Sequence, residues 1–372
     1  MKVAITGGHL SPAVAVIEKL KNRKNTKIVF FGRKHPFDND TALSFEYQTI
    51  KKMNIPFRLV NTGKLKRHIT LDALLSAFQI PKGTLEANRK VREEKPDILL
   101  SFGGFLALPV ALACYLQGIP IVIHEQTQHA GLTNKILAKL AAKVCITFPS
   151  SQRYFPKKKT LLTGNPIRED VLEVKQKIIV PKNEKIIYIT GGSTGAHYIN
   201  NLVKDSLTHL LKLGVVVHQT GDTTLTNDYG KLQKIRASLT ESEKERYIIK
   251  KFVPAEELGW LYKNADLVIA RSGINTVLEL LATKSVALLL PLKVGQKNEQ
   301  LENAKYFASS GLGEYLENDV TPDLFIAKIK DLLKNSIEKK KSAKDIYEHN
   351  NAAEAIVNEL VSHYEKKRKK TA

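Results

Sequence analysis

Two stretches, Val3-Ala4-Ile5-Thr6-Gly7-Gly8-His9 and Ile186-Ile187-Tyr188-Ile189-Thr190-Gly191-Gly192-Ser193-Thr194-Gly195, decide the fold. Each is a short β-branched apolar run that breaks into a glycine turn. Each turn leads into a helix-like pattern, Pro12 to Leu20 in the first case and Ala196 to Leu211 in the second. Strand, glycine turn and helix in that order aim backbone N–H groups and a positive helix end at an anion. The same device at the head of both halves predicts an α/β protein of two doubly wound, parallel-sheet domains facing each other across a cleft.

Working outward, apolar runs recur at α/β spacing. In the first half they are Lys27–Phe31, Phe57–Val60, Asp97–Ser101, Pro120–His124 and Val144–Thr147. In the second they are Lys185–Thr190, Val215–Gln219, Tyr247–Val253, Asp266–Ala270 and Val286–Pro291. The turn Thr163-Gly164-Asn165-Pro166 and the charged stretch Glu169 to Lys185 carry no core strand, so the domain boundary is placed there. The expected division is 1–165, 166–345 and a C-terminal helix with a basic tail, 346–372. The helix-like stretch Ala343–Tyr364 could pack on either domain.

A length of 372 residues allows two cored domains, and 43% hydrophobic with 26% charged residues is ordinary for a globular chain. No apolar run is long enough to span a bilayer, and Lys2 followed at once by a strand does not read as a signal peptide. The two cysteines, Cys114 and Cys145, sit in apolar segments and read as buried thiols of a reducing compartment. The net charge of +21 is the unusual number, fed by runs such as Lys157–Lys159, Lys339–Lys341 and Lys366–Lys370. Each run alone is solvated surface; together they point to an anionic partner, whether nucleotide, nucleic acid or membrane face.

The richest chemistry lies in Arg271-Ser272-Gly273-Ile274-Asn275-Thr276-Val277-Leu278-Glu279. A buried strand before it and a helix after it put Ser272-Gly273 at a helix N-terminus, where a phosphate can approach the backbone. Glu279, about two turns on, is placed to accept from both hydroxyls of a ribose; the alternative is a surface glutamate. Gln300 and Asn303 share a helix face, and their amides suit sugar hydroxyls and an N-acetyl group, although such pairs are commonly just solvated. His9 follows its glycine turn directly and could take a proton from an attacking hydroxyl, the alternative being a structural histidine. Ser101-Phe102-Gly103-Gly104 and His124-Glu125-Gln126-Thr127 end two further strands on the same sheet edge. Asp38-Asn39-Asp40 has the form of a divalent-ion site for a diphosphate, but in its loop with Pro36 it reads as a solvated acidic turn. No zinc spacing and no lysine-bearing phosphate loop is present, so no metal site is identified; a divalent cation remains possible and no tightly bound cofactor is expected.

In this order the segments resemble the MurG family, from Lys2 to about Gly313. The marks are Thr6–His9, Ser101–Gly104, His124–Gln126 with Gly131-Leu132-Thr133-Asn134, and Gly164–Arg168. They continue with Gly191–Ala196, His218-Gln219, Arg271–Glu279 and Gln300 to Asn303. The resemblance implies the GT-B architecture, two Rossmann-like domains, the first binding the acceptor and membrane and the second the nucleotide-sugar. It implies inverting transfer of N-acetylglucosamine from UDP-N-acetylglucosamine to the C4 hydroxyl of undecaprenyl-diphosphate-N-acetylmuramoyl-pentapeptide, lipid I, giving lipid II for peptidoglycan. Ser193, Arg168 and the turn Ser272, Gly273, Ile274, Asn275, Thr276 would meet the diphosphate. Glu279 would hold the ribose, Val253 would lie against uracil, and Gln300 and Asn303 would contact the sugar. Thr6, Gly7, Gly8 and Thr127 would touch the donor from the first domain. Gly7 and Gly8, with Gly103, Gly104, Glu125 and Asn134, would line the acceptor site, with His9 as general base and Glu125 the other catalytic group. The chain departs from the family at Ala4-Ile5, where a glycine pair is usual, at Thr127 in place of asparagine, at Phe105 in place of tyrosine, and across Lys293–Lys297.

A lipid-linked acceptor implies peripheral attachment to the cytoplasmic face of an anionic bacterial membrane. Leu71, Leu74, Leu75, Phe78 and Ile80, flanked by Lys64, Lys66, Arg67, His68 and Lys82, suit such a surface, with a plain core helix as the alternative. Within the same fold the rivals are a UDP-N-acetylglucosamine 2-epimerase or a transferase with another lipid acceptor. A nucleic-acid binder is the rival of a different class. It is disfavoured because the lysine runs lack interleaved aromatics and no recognised binding motif is present, so no nucleic-acid partner is expected.

Overall fold

The protein is described here from a computed structural model. It covers residues 1–35, 43–60, 71–192, 195–223, 225–292, 298–317, 319–347 and 351–371, with the side chains of 71–82 and 370–371 outside the description. The chain divides into two compact units, Met1–Arg168 joined by His349–Ala372, and Glu169–Glu348.

In the first unit the chain runs β1 (Lys2–Thr6), α1 (Leu10–Lys21), β2 (Lys27–Gly32), α2 (Phe45–Lys52), β3 (Phe57–Leu59) and α3 (Leu71–Glu94). It continues with β4 (Ile98–Ser101), α4 (Ala107–Leu116), β5 (Ile121–Glu125), α5 (Leu132–Leu140), β6 (Lys143–Ile146) and β7 (Thr160–Leu162). The strands form one sheet in the order β3-β2-β1-β4-β5-β6-β7, and every pairing is parallel. Helices cover both faces, which is why the strands read as unbroken apolar runs rather than alternating ones. Val3 and Ile5 pack on one face and Ala4 on the other, all fully buried. β1 is the first strand laid down yet has β2 on one side and β4 on the other, so the chain reverses its winding between β1 and β4. Thr6 stands level with Ser101 at that reversal. The carboxyl ends of such a pair are where α/β sheets bind ligands.

The second unit repeats the plan. It begins with α6 (Glu169–Leu172), β8 (Ile186–Thr190), α7 (His197–Leu211), β9 (Val215–Gln219), α8 (Asp228–Ala237), α9 (Glu241–Arg246) and β10 (Tyr247–Lys250). Then come α10 (Ala255–Asn264), β11 (Leu267–Ala270), α11 (Ile274–Ala282), β12 (Ala287–Leu289), α12 (Glu299–Ala308), β13 (Gly313–Tyr315) and α13 (Pro322–Ser342). The parallel order is β10-β9-β8-β11-β12-β13, with the reversal between β8 and β11, where Thr190 lies beside Ala270.

The last helix, α14 (Ala352–Thr371), returns to the first unit. Ile356, Val357 and Leu360 enter the core that holds Val3 and Ile5, and Arg23 bonds to Glu354 and Asn358. Residues 343–347, read from sequence as helix-like, are not helical; the helix begins at Ala352.

Candidate active site

At the reversal of the first sheet the glycine turns after β1 and β4 lie backbone to backbone. Gly8 has φ +139 and Gly104 has φ +79, and a side chain on Gly8 would run into the carbonyl of Gly103. Only glycine lets the two turns approach this closely. This approach places His9, the residue opening α1, beside the end of β4, where its Nδ1 stands 3.1 Å from the carbonyl oxygen of Phe102. A carbonyl only accepts, so Nδ1 carries the hydrogen and Nε2 carries the lone pair. His9 is half-buried, and the turn behind it, Thr6-Gly7, is buried. The Glu46 carboxyl, from the first turn of α2, packs over Gly7 and Gly32, and burial pushes its pKa up to about 7.

The β5 end is organised by Glu125, which is 2% exposed. One carboxylate oxygen accepts from the Thr127 N–H (3.0 Å) and hydroxyl (2.6 Å). The other accepts from the Gly131 N–H (2.9 Å) and the Asn134 amide (3.0 Å). Four donors on one carboxylate clamp the loop between β5 and α5 and seat Asn134 against Gly103. His124 is buried, donates from Nε2 to the Gly164 carbonyl, and burial pushes its pKa down to about 4, so the ring is neutral. Around these strand ends Thr6 Oγ1, His124 Nδ1, Gln126 Oε1 and Asn134 Oδ1 are buried with no hydrogen-bond partner among the described residues. A buried polar atom left unpaired costs ~1–3 kcal/mol, so a surplus of acceptors suits a ligand bearing hydroxyls and amide N–H groups. Arg168, half-buried, ends this unit.

In the second unit the turn after β8 is equally constrained. Gly195 has φ +78, and a methyl there would strike the Thr220 carbonyl, so the turn lies tight on the β9 end. Behind it runs a buried polar chain. His218 bonds to the Tyr247 hydroxyl and to Asn200 Oδ1, each at 3.0 Å. Asn200 in turn donates to Asp228 at 2.8 Å, and Asp228 holds His197 Nδ1 at 2.8 Å. Burial pushes His218 down to about 3, so it acts as a neutral strut. Burial alone would raise Asp228, but bonds from Asn200 and His197 outweigh it and hold the carboxyl below its usual range.

Across the reversal, Gly273 caps α11 and Ser272 is fully buried. Neither α7 nor α11 has a side-chain N-cap, so no capping side chain takes the first-turn N–H groups, those of Ile274, Asn275 and Thr276 included. Ser272 donates to the Gln300 carbonyl at 2.7 Å, the Asn303 amide donates to the Ser272 carbonyl at 3.1 Å, and Gln300 Oε1 accepts the Leu292 N–H at 2.9 Å. Asn303 through its amide and Gln300 through its backbone carbonyl thus also fix the Ser272-Gly273 turn, while the Gln300 side chain holds Leu292. Glu279, 5% exposed, accepts from the Tyr262 hydroxyl at 3.2 Å. Arg271 lies behind the turn, bonded to the carbonyls of Leu290 and Pro291, and burial lowers its pKa. Val253 follows β10, with its N–H on Gln219.

The described sequence-predicted residues of the first unit end or follow β1, β4 and β5, with Arg168 at its end, and those of the second follow β10 and β11 or lie on α11 and α12. Ser193, Asp38–Asp40, Lys64–His68 and Lys293–Lys297 lie outside the described residues, as do the side chains of Leu71, Leu74, Leu75, Phe78, Ile80 and Lys82. Among the described residues no three His, Cys, Asp or Glu side chains converge as a metal site. Sequence reading missed Glu46, Asn200, Asp228 and Tyr262. Asp228 and Asn200 could have been suspected, since one opens a helix and the other faces inward just after a glycine turn. Nothing near Glu46 announces it.

Two doubly wound parallel-sheet units in tandem, each with its own reversal, are the GT-B plan of two-domain glycosyltransferases. Residues 5–146 match the glycosyltransferase family 28 N-terminal domain and residues 186–359 match its C-terminal domain. Relatives named UDP-N-acetylglucosamine–N-acetylmuramyl-(pentapeptide) pyrophosphoryl-undecaprenol N-acetylglucosamine transferase come from Clostridium perfringens and Clostridium novyi. The first is 35% identical over 90% of both chains, the second 33% identical over 99% of both. The crystal structure of Acinetobacter baumannii MurG superposes with a TM-score of 0.70 at 26% identity, covering 97% of this chain and 99% of that one. The UDP-GlcNAc 2-epimerase of Neisseria meningitidis bound to UDP-GlcNAc shares the fold, with a TM-score of 0.65 at 16% identity over 97% of this chain and all of the other. The chain belongs to the MurG family of family 28 glycosyltransferases.

Proposed function

We propose that the protein transfers N-acetylglucosamine from UDP-N-acetylglucosamine to the C4 hydroxyl of undecaprenyl-diphosphate-N-acetylmuramoyl-pentapeptide, forming lipid II. The observation that carries this reading is near-full-length similarity to relatives that bear one activity in their names, and the bond from His9 Nδ1 to Phe102, which leaves Nε2 for a proton, supports it. The C4 oxygen forms its bond to the anomeric carbon as the bond to the diphosphate oxygen breaks, so the configuration inverts. His9 Nε2 takes the hydroxyl proton, and its Nδ1–H on Phe102 stabilises the imidazolium that results. The first-turn N–H groups of α7 and α11 and the Arg168 guanidinium balance the charge gathering on the departing UDP. Glu279 holds the ribose, and Glu125 acts by shaping the loop that carries Thr127 and Asn134.

The protein works as a peripheral protein on the cytoplasmic side of an anionic membrane. No described helix is long and apolar enough to cross a bilayer. Leu85 on α3 and Tyr115 and Leu116 on α4 are apolar side chains at 72%, 53% and 70% exposure, and support an interfacial role. Cosedimentation with anionic liposomes, lost on replacing Leu75 and Phe78 by serine, tests this.

The test of the reaction is incubation with labelled UDP-N-acetylglucosamine, with and without a short-chain lipid-linked muramoyl-pentapeptide. Label moving to the lipid only when acceptor is present supports transfer. Conversion of the sugar nucleotide without acceptor makes the protein an epimerase.

A further inference from the structure

Gln219, the last residue of β9, makes hydrogen bonds through both ends of its side-chain amide. Its Nε2 donates to Thr190 Oγ1 at 3.1 Å and to the Gly192 carbonyl at 3.0 Å, while its Oε1 accepts the Val253 N–H at 2.8 Å. Thr190 Oγ1 also accepts the Gly192 N–H at 3.1 Å. Both backbone polar groups of Gly192 thus lead to this one amide, the carbonyl directly and the N–H through the threonine hydroxyl.

Topology explains the reach. β9 lies between β8 and β10, so a side chain at its carboxyl end can touch the loops that follow both neighbours. Packing does not hold Gly192: it has φ +81, and a side chain there would meet nothing within 4 Å. Hydrogen bonds hold it, two of them anchored on the Gln219 carboxamide and a third from the Gly195 N–H within the turn. The amide is planar and nearly buried, at 9% exposure, so its three partners are fixed in one geometry. A net contribution of ~0.5–1.5 kcal/mol is typical for each such bond, and an unpaired buried partner costs more.

We propose that Gln219 is a positioning residue that joins the glycine turn after β8 and the segment around Val253 into one element, so that order at the phosphate subsite is felt at the base subsite. The inference rests on the reading of the second unit as the donor half. Preorganisation of this kind lowers the ordering cost of binding and couples two contacts that never meet directly.

The coupling can be read with uridine, which has no phosphate. Thr190→Val removes a group of the phosphate turn, and on this proposal uridine senses the loss through Gln219. Calorimetry with UDP and NMR titration with uridine on the full chain give the comparison. Expected is a tenfold or greater loss of UDP affinity in Gln219→Met. Thr190→Val should weaken uridine at least threefold in the otherwise unaltered protein and less than 1.5-fold when added to Gln219→Met. Should Gln219→Met fail to fold, Gln219→Glu, which keeps an acceptor for Val253 but lacks both donors, is the second background with the same expectation. A merely structural role would lower the folded fraction in thermal melts and leave the affinity of the remaining protein unchanged. Uridine affinity untouched by Thr190→Val, or weakened equally in both backgrounds, overturns the inference. If the unaltered protein binds neither UDP nor UDP-N-acetylglucosamine, the donor reading itself fails instead.

Discussion

His9 gives its Nδ1 hydrogen to the carbonyl oxygen of Phe102, 3.1 Å away, across the point where the first sheet reverses its winding. One bond settles both the tautomer and the ring orientation, leaving Nε2 as the basic nitrogen. His9→Ala should therefore lower kcat by ~10²–10⁴-fold at saturating substrates while changing the KM for the donor little. Steady-state kinetics decide it, and turnover near that of the unaltered protein would remove His9 from the proton transfer.

Glu125 makes the contrasting case. With four hydrogen bonds to its carboxylate, its structural work is to hold the loop that bears Thr127 and Asn134. In Glu125→Gln one oxygen becomes an NH2 facing N–H donors, which should destabilise the first unit by ~1.5–3 kcal/mol and raise the acceptor KM more than it lowers kcat. Melting curves and acceptor titrations check this. A His9-like collapse of kcat with stability and KM intact would assign Glu125 to the chemistry.

The Ser272-Gly273 turn separates binding from folding. A methyl at Gly273 meets nothing within 4 Å, and its φ of −62 suits any residue, so Gly273→Ala should fold with only a small loss of N-cap stability. That methyl stands where a phosphate would approach α11, and the donor KM should rise at least tenfold. Gly195→Ala, with φ +78 and a clash against Thr220, should cost ~1–3 kcal/mol or more in the second unit. Donor titrations and melts of the two variants side by side test the distinction.

Stability should respond to pH differently in the two units. His218 is buried neutral with a pKa near 3 against 6.5 when unfolded, so its contribution is whole above pH 6.5 and falls as the pH drops toward 3. The second unit should lose about 1.4 kcal/mol per pH unit below 6.5 from this group. In the first unit His124, near 4, acts in the same direction, but Glu46 opposes it. Its pKa is raised from 4.5 to about 7, so its contribution is whole below pH 4.5 and is lost as the pH rises through 7. Between pH 5 and 6.5 the two cancel, and Glu46→Gln should expose the His124 slope. Denaturant unfolding followed by hydrogen exchange, which resolves the units, measures both.

The fold was legible because buried parallel strands must be apolar throughout. The run Val215–Gln219 has the same bounds in the sequence and in the fold, and most others agree within a few residues. The strands that sequence reading misses, Thr160–Leu162 and Gly313–Tyr315, are three-residue edge strands with one covered flank and at most two adjacent apolar residues to signal them. The sequence leaves the return of α14 to the first unit open because its apolar stripe, Ile356, Val357 and Leu360, fits any core; only tertiary packing selects one. Site residues on glycine turns were legible because turn and helix start show in sequence. The supports were not, since Asn200, Asp228 and Tyr262 act through partners 17 to 31 positions away.

The most direct measurement is acceptor-dependent transfer itself, with UDP release and product linkage followed on one sample of UDP-N-acetylglucosamine and a short-chain lipid-linked muramoyl-pentapeptide. UDP released in step with a β-linked disaccharide on the lipid, and none released without acceptor, is the predicted result. Sugar nucleotide consumed without acceptor, or an α-linked product, would contradict it.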